Sequence, residues 1–322
     1  MHELNKIVFI VPYFGRFNNY FQLFLNSCEK NSNYNWIIIT DDKRNFYYPK
    51  NVEVIYESFE KLKEQIQTKF ENIEISLDNP YKLCDYKPTY GYIFEKNIEK
   101  YDYWGYCDVD LIFGNIEKCL DMKKIKKYDK IGVLGHFTIF RNTKELRELF
   151  LNDERYKEVL TSPKSFKFDE EYGEDYGNSI NNIFQKKNKK VYNIINLADI
   201  YVKSSNFKLI NYNNEEKKYF VENYKKNLFV YDDGNLKRYT VENNKLVTTE
   251  YLYIHLQKRS MNVNINNFNK YKIIPNSFEN FNENINSIQD FQKIKIKNFN
   301  LHYFKIRLKN LKNKIKKRME EK

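Results

Sequence analysis

Residues 104 to 114 read WGYCDVDLIFG, two acidic residues set between apolar segments. The residues before Asp108 are typical of a buried strand, and Asp108 and Asp110 stand at its end. Side chains two positions apart in a strand point to the same face, so the two carboxylates can converge on one point. Two oxygen donors of this kind suit a divalent cation such as Mg²⁺ or Mn²⁺ that is shared with phosphates. The pattern Asp-x-Asp is also common in solvated turns, but its apolar flanks favour the metal interpretation.

Three further apolar runs indicate that this strand belongs to an α/β sheet. Residues 6–12 (KIVFIVP), 36–40 and 52–56 each have the composition of a buried strand. Between the first two, residues 20–28 carry apolar side chains at helical spacing. Strands that alternate with helices are typical of a parallel sheet. We therefore predict an α/β fold with a Rossmann-type nucleotide-binding sheet and helices on both of its faces.

Polar and aromatic residues follow the first two of these strands. Ligands of open α/β sheets bind at the carboxyl edge, where such residues lie. We predict that Pro12, Tyr13, Phe14, Asp41 and Asp42 line a nucleotide site there; the alternative for the two acids is a turn that ends the strand. No G-x-G-x-x-G follows the first strand, and no P-loop motif occurs, so classical dinucleotide and P-loop sites lose support.

Basic residues and histidines supply further candidates. Lys87 is predicted to bring a cation to phosphates, the alternative being a solvated residue at a helix start. His136 follows a strand and is expected either to line a substrate pocket or to form a simple turn. His255 ends an apolar strand and is predicted as the third metal ligand, with Lys258 and Arg259 neutralising phosphates. The alternative is a structural histidine followed by solvated cations.

An acidic segment downstream offers a catalytic base. Residues 166–175 read FKFDEEYGED, and a helix is predicted after them. A reaction in which a substrate hydroxyl loses its proton needs a carboxylate as base. Asp169, Glu170 and Asp175 are the candidates. The alternative is stabilisation of the helix start by acids, which contributes some tenths of a kcal/mol per residue.

Composition excludes several classes of protein. The net charge is +12, but residues 289–322 alone carry 12 Lys or Arg and 3 acidic residues. The remaining chain is therefore nearly neutral, which argues against a nucleic-acid enzyme. The cysteines have neither zinc-site spacing nor the density of a disulfide framework, so a reduced cytosol is expected. We see no signal peptide pattern and no transmembrane segment.

The pattern of elements predicts two regions. Residues 1–262 are predicted to form the catalytic domain, in which residues 206–249 are a β-hairpin insertion around the turn at 232–235. Residues 263–322 are predicted to be a polar linker followed by a basic amphipathic helix over 301–319. This helix is expected either to lie on an anionic membrane surface or to pack on its own domain.

Seven segments resemble, in their order, a bacterial family of GT-A-type glycosyltransferases found with capsule and lipopolysaccharide synthesis genes. The resemblance covers about residues 6 to 260 and implies a GT-A-like fold, a donor that is most often a UDP-sugar, and a Mn²⁺ or Mg²⁺ ion. It implies that Asp108 faces ribose or metal, that Asp110 ligates the metal, and that His255 completes its shell. The segments are PYFG (12–15), ITDD (39–42), CDYKPTYG (84–91), WGYCDVDLIFG (104–114), GHFTIFRN (135–142), FDE (168–170) and HLQKR (255–259).

The expected activity is transfer of a sugar from a nucleotide sugar to a surface polysaccharide or lipid-linked glycan. The expected partners are the nucleotide sugar, the glycan acceptor and the inner face of the cytoplasmic membrane, with no nucleic acid. Two alternatives stay open. A nucleotidyltransferase acting on sugar phosphates also uses paired aspartates and metals, and a non-catalytic carbohydrate-binding protein can keep the same fold.

Overall fold

The computed structural model describes most of the chain. Its described residues are 6–170, 179–204, 206–213, 215–216, 218–222, 226–298, 301, 304–305, 307–308, 311–312 and 315. The chain forms two compact units, each built from segments that are not contiguous in sequence. The first unit comprises residues 1–17, 24–111 and 116–195, and the second comprises residues 18–23, 112–115 and 196–322.

The first unit is a mixed α/β structure around a seven-stranded sheet. Four of the six strand pairings in this sheet are parallel. In spatial order the strands are Val52–Tyr56, Tyr34–Thr40, Ile7–Pro12, Tyr103–Cys107, Phe137–Arg141, Lys130–Ile131 and Val191–Tyr192. The strands predicted at residues 6–12, 36–40 and 52–56 are confirmed, and they pair in parallel as expected.

The strand Phe137–Arg141 departs from the predicted parallel arrangement. It runs antiparallel to Tyr103–Cys107 and to Lys130–Ile131. Only five residues separate the strand Lys130–Ile131 from Phe137. A parallel crossover needs a dozen residues or more, so a connection of this length can only form an antiparallel pair.

Apolar side chains cover both faces of the strands in this sheet. In the strand Ile7–Pro12, residues that point to either face are buried, from Ile7 to Val11. On one face, Val8 and Ile10 share a core with Leu62 and Ile66 of the helix Phe59–Lys69. That helix begins after Ser58, whose hydroxyl accepts a hydrogen bond from the Lys61 N–H at 3.2 Å, an N-cap. On the other face, Phe9 stacks on Trp36 with ring centroids 5.4 Å apart.

Apart from the tail, the other helices in the part of the chain that the structure describes are short. The α-helices, apart from Phe59–Lys69, are Phe21–Glu29, Leu83–Tyr86, Tyr90–Ile93, Glu95–Ile98, Ile116–Cys119, Met122–Ile125, Lys144–Arg147, Arg155–Thr161, Ile180–Lys186 and Ile288–Lys293, and the 3₁₀ helices are Pro80–Lys82, Lys87–Thr89 and Leu149–Asn152. Within the described residues, no helix has the length and apolar content required to cross a membrane.

The second unit consists mainly of β-structure. Its six-stranded sheet has the order Lys245–Tyr251, Asn235–Glu242, Asn227–Asp232, Lys270–Ile274, Ser277–Asn280 and Asn262–Asn264. A three-stranded sheet has the order Leu111–Phe113, Tyr253–His255 and Ala198–Asp199, and a ribbon pairs Ile210–Asn213 with Lys218–Val221. The hairpin predicted around residues 232–235 is confirmed. Asp233 and Gly234 at its turn have φ values of 44° and 84°, as a tight hairpin turn requires.

Residues taken from early in the sequence help to complete the core of the second unit. Tyr20, Leu23 and Ile112 are buried in one cluster with residues from Ala198 to Phe278. The Tyr20 ring lies 5.5 Å from the Phe278 ring, measured between centroids. The segments 18–23 and 112–115 are therefore part of this unit, although both precede the rest of it by more than 80 residues.

The segment predicted as a polar linker begins as part of a sheet. Residues 262–280 supply three of the six strands, and the core continues to Phe291 and Ile294. Asn-rich composition concealed these strands because their outward side chains are polar. In the tail beyond them, the described residues from 304 to 315 are helical. The rest of the predicted 301–319 helix lies outside the described residues.

Gly105 allows close approach of the two strands next to the acidic motif. It pairs with Ile139, and a Cβ placed there would collide with the backbone carbonyl of Thr138. We expect Gly105→Ala to lower the free energy of unfolding by about 1–3 kcal/mol, because a backbone neighbour cannot move aside as a side chain can. Urea denaturation measures this change. The exposed control Glu64→Ala should stay within about 0.5 kcal/mol, and equal stability of both variants would contradict the close contact.

Candidate functional site

The two aspartates of the Asp-x-Asp motif lie where the strand Tyr103–Cys107 ends. The Asp108 N–H donates to the His136 carbonyl at 3.0 Å, which fixes the backbone as it leaves the sheet. Asp110 is 3% exposed, whereas Asp108 is half-buried. A carboxylate oxygen of Asp108 lies within 4.8 Å of one of Asp110. The convergence of the two acids that their spacing predicted is therefore present within the first unit.

A buried ammonium group lies beside these acids. Lys87 Nζ donates to Asp108 Oδ1 at 2.8 Å and to the Gly135 carbonyl at 2.7 Å, and it lies 3.0 Å from Asp169 Oδ2. Burial alone would lower the pKa of Lys87, but the charges of Asp108 and Asp169 outweigh burial and raise the pKa well above its ordinary value. Lys87 is therefore buried, and the alternative of a solvated lysine at a helix start is wrong.

Asp169 is enclosed at this site. It is 3% exposed, and burial raises the pKa of its carboxyl group to about 7 although Lys87 opposes the shift. Gly135 approaches it so closely that a Cβ at position 135 would lie 2.7 Å from Asp169 Oδ2. The segments GHFTIFRN and FDE therefore meet at a point where only glycine fits.

Asp85 fixes the backbone that leads to Asp169. Its carboxylate accepts hydrogen bonds from the N–H groups of Phe166 at 3.0 Å and Phe168 at 3.1 Å. Lys82 donates to Asp85 Oδ2 at 2.8 Å, and both side chains are buried. Sequence reasoning missed Asp85 and Lys82. The signal was the spacing of Lys82, Asp85 and Lys87, which are three and two residues apart on successive short helical turns that lead into CDYKPTYG.

The loop after the first strand is held by the acids that were predicted to bind a nucleotide. The Gly15 N–H donates to Asp41 Oδ1 at 2.8 Å, and the Phe17 N–H donates to Asp42 Oδ2 at 2.9 Å. The side-chain hydrogen bond from Arg44 lowers the pKa of Asp42 to about 2. This is the strand-ending turn named as the alternative, so a nucleotide contact by either acid stays a prediction.

The aromatic residues of the same loop differ in their environment. Phe14 is buried in the core against Phe59, and Pro12 is the last residue of its strand. Tyr13 stacks on Phe17 at 4.7 Å between centroids. Burial raises the pKa of the Tyr13 phenol, and the negative charges of Asp110, Asp42 and Asp108 add to the effect. Of Pro12, Tyr13 and Phe14, Tyr13 is therefore the residue whose polar group interacts electrostatically with Asp108 and Asp110.

His255 belongs to the second unit and is paired with an acid that the sequence did not reveal. Its Nδ1 lies 2.8 Å from Asp199 Oδ1, which also accepts a hydrogen bond from Gln257 Nε2 at 2.6 Å. Asp199 stands opposite His255 in a parallel strand pair, 56 residues away in sequence. When Nδ1 donates to a carboxylate, Nε2 becomes the nitrogen that accepts or ligates. A metal-binding role for His255 stays a prediction.

The cations that follow His255 have different surroundings. Lys258 is exposed, whereas Arg259 is 2% exposed, and burial lowers the pKa of its guanidinium to about 10. Arg259 donates to Asn276 Oδ1 at 2.8 Å and to the Ser204 carbonyl at 2.6 Å. These partners hold the Arg259 guanidinium within the second unit, and Lys258 is the one that solvent reaches; a phosphate contact by either residue stays a prediction.

The other candidate bases, Glu170 and Asp175, differ from Asp169. Glu170 is half-buried; its carboxylate lies 3.8 Å from Lys167 Nζ, and its carbonyl accepts from Ser179 and Asn181. Asp175 lies outside the described residues. His136 is 8% exposed, and its backbone carbonyl, described above, supports Asp108.

Comparison with known proteins identifies a family. Residues 9–282 match a family of unknown function, DUF6625. The chain belongs to this family. No curated protein matches it. Among solved structures, it is similar to the galactosyltransferase LgtC in complex with donor and acceptor sugar analogs, over 61% of this chain and 75% of that chain, with 9% identity and a TM-score of 0.31.

The raised pKa of Asp169 predicts a pH dependence of stability in this DUF6625 chain. Because the pKa is about 7 in the folded protein and 3.8 as its ordinary value, ionisation is disfavoured by folding. The free energy of unfolding of the wild type, relative to Asp169→Asn, should fall as pH rises from about 4 to about 7 and then level off. The slope is at most about 1.4 kcal/mol per pH unit.

Denaturation at a series of pH values measures this difference, with Asp42→Asn as a control of opposite sign. The pKa of Asp42 is lowered to about 2, so its contribution is present above pH 4 and is lost only as pH falls below that value. A wild-type curve that runs parallel to the Asp169→Asn curve between pH 4 and 7 would contradict the assignment.

Proposed function

We propose that this protein is a metal-dependent glycosyltransferase that takes its sugar from a nucleotide sugar, which by resemblance is a UDP-sugar. The observation that carries the proposal is the convergence of Asp108 and Asp110, with carboxylate oxygens within 4.8 Å, at the carboxyl end of a mostly parallel sheet. Two carboxylates this close repel each other unless a positive charge compensates them. A divalent cation bound between Asp108 and Asp110 would relieve this repulsion.

The donor set fits Mn²⁺ or Mg²⁺, since both aspartates offer the oxygen ligands that these ions prefer. Asp108 and Asp110 would hold the ion, and His255 is proposed as a further ligand. When bound, the ion would stabilise the charge of the leaving nucleoside diphosphate.

We propose Glu170 as the residue that takes the proton of the acceptor hydroxyl if the reaction inverts. Asp169 is committed to Lys87 and is 3% exposed, whereas the Glu170 carboxylate is 36% exposed. A base must reach the acceptor, so the more exposed of the two adjacent acids suits the role better. Asp175 remains a candidate on sequence grounds.

Asp110→Asn tests the metal site. UDP with Mn²⁺ should stabilise the wild type by about 2.7 kcal/mol at a ligand concentration one hundred times the Kd. The variant should lose most of this stabilisation, because an amide is a weaker ligand than a carboxylate, while its stability without ligand stays close to that of the wild type. Thermal-shift measurements with UDP, with Mn²⁺ and with both together distinguish these effects.

The matched control is Asp78→Asn, an exposed aspartate paired with Lys63, which should respond to UDP and Mn²⁺ as the wild type does. Stabilisation by UDP that persists in Asp110→Asn, or that is equal in EDTA, would exclude the metal site. Binding of sugars without any response to metal or UDP would favour the non-catalytic carbohydrate-binding alternative. Release of pyrophosphate from a nucleoside triphosphate would favour the nucleotidyltransferase.

We further propose that the acceptor is a surface polysaccharide or lipid-linked glycan and that the protein works at the inner face of the cytoplasmic membrane. Support comes from the tail, where the apolar side chains at the predicted helical spacing are at least half exposed. These are Leu301, Phe304, Leu308, Leu311 and Ile315. Nine Lys or Arg residues lie among and after them in residues 300–322.

Deletion of residues 300–322 tests the membrane proposal. The full chain should sediment with anionic vesicles, because each Lys or Arg near such a surface contributes about 1 kcal/mol, and binding should fall steeply with salt. The truncated protein should stay in solution and keep its response to UDP and Mn²⁺. Neutral vesicles serve as the control, and equal sedimentation of the two proteins with anionic vesicles would refute the proposal.

A further inference from the structure

The buried Lys87 has a role that the proposed function does not assign. A lysine ammonium has three N–H donors and no acceptor. Three oxygen atoms lie within 3.0 Å of Lys87 Nζ: Asp108 Oδ1 at 2.8 Å, the Gly135 carbonyl at 2.7 Å and Asp169 Oδ2 at 3.0 Å. Its donors are therefore matched by oxygens of the protein, and a phosphate could gain a contact only by displacing one of them.

Hydrogen bonds hold the backbone next to each of the three oxygens. Asp108 is anchored through its N–H, which donates to the His136 carbonyl. Gly135 immediately precedes that residue. Asp169 follows directly on the backbone that Asp85 holds through the N–H groups of Phe166 and Phe168. Lys87 thus joins segments that are far apart in sequence, and it holds one particular oxygen of Asp108.

We infer that Lys87 is a positioning residue, which orients the Asp108 carboxylate and moderates its attraction for a divalent cation, and that it is not a phosphate ligand. This inference rests on the proposed function, because it concerns how Asp108 meets its metal. Asp169 takes part by sharing the charge of Lys87. A positive charge 2.8 Å from a carboxylate weakens the attraction of that carboxylate for a second cation.

Lys82 provides a matched control for substitutions of Lys87. It is also buried, five residues before Lys87, and its Nζ also has three acceptors: Asp85 Oδ2 at 2.8 Å, the Val159 carbonyl at 2.8 Å and the Lys164 carbonyl at 2.5 Å. The two lysines therefore make similar numbers of buried contacts. They differ in that the carboxylate partner of Lys82 is not part of the Asp-x-Asp motif.

The test compares the wild type with Lys87→Met, Lys87→Gln and Lys82→Met, using Mn²⁺ alone and UDP in saturating Mn²⁺. Electron paramagnetic resonance of free Mn²⁺ gives the metal affinity, and calorimetry gives the UDP affinity. Both Lys87 variants should bind Mn²⁺ about tenfold more tightly, and their affinity for UDP should stay within about threefold of the wild type. Lys82→Met should lose stability but keep both affinities per folded molecule.

Two results of the affinity measurements would overturn the inference. Unchanged or weaker Mn²⁺ binding in Lys87→Gln would show that Lys87 does not moderate the metal site. A loss of UDP affinity of tenfold or more, with Mn²⁺ affinity unchanged, would show that Lys87 contacts phosphate. Lys87→Gln retains hydrogen-bond donors, so it keeps the test usable if Lys87→Met does not fold.

A measurement that needs no metal separates this inference from the proposed function. In ¹⁵N-lysine spectra of the wild type, the Lys87 ammonium should exchange slowly with water, and its signal should shift in Asp108→Asn and again in Asp169→Asn. A rapidly exchanging Lys87 signal would refute the positioning role. A wild type that binds no Mn²⁺ but shows this slow signal and both shifts would refute the metal site alone.

Discussion

The candidate site depends on one buried positive charge, the ammonium of Lys87. Removing an ammonium and two carboxylates from water costs several kcal/mol per ion, and their attraction repays this cost only when geometry is good and other polar groups are satisfied. Here Asp108, Asp169 and the Gly135 carbonyl lie within 3.0 Å of Nζ. Loss of Lys87 would leave the buried Asp169 without the cation that balances its charge. The positions of the strand end, the glycine turn and the acidic segment are therefore coupled through a single side chain.

A second network of the same kind supports the first. Asp85, with its charge balanced by Lys82, accepts hydrogen bonds from two backbone N–H groups just before Asp169. The segment CDYKPTYG thus provides two residues that hold the acidic segment. Asp85 binds the backbone before Asp169, and Lys87 binds the Asp169 carboxylate. The second unit uses the same physics where the buried pair of Arg238 and Glu222 joins the ribbon to the six-stranded sheet.

Much of this architecture could be predicted from local patterns in the sequence. Apolar runs located the strands at 7–12, 34–40 and 52–56, and the Asp-Gly turn located the hairpin after Asp232. The two-residue spacing also predicted the convergence of Asp108 and Asp110. The pairing of His255 with Asp199 could not be predicted, because neither residue carries a local signal of a partner 56 positions away. Arg259 was expected at phosphates, yet its burial against Asn276 depends on strands that polar composition concealed.

The second unit contains two short segments from early in the sequence, and this has a consequence for how the protein folds during synthesis. Tyr20, Leu23 and Ile112 emerge from the ribosome long before the strands around Tyr271 and Phe278 that enclose them. These apolar side chains therefore cannot contact Tyr271 and Phe278 until more than a hundred further residues have been synthesised. Contacts that close such long loops form late and slowly, and the waiting chain is open to aggregation. The second unit is thus completed only near the end of synthesis, and chaperones that shield nascent apolar segments would act on residues 18–23 and 112–115 first.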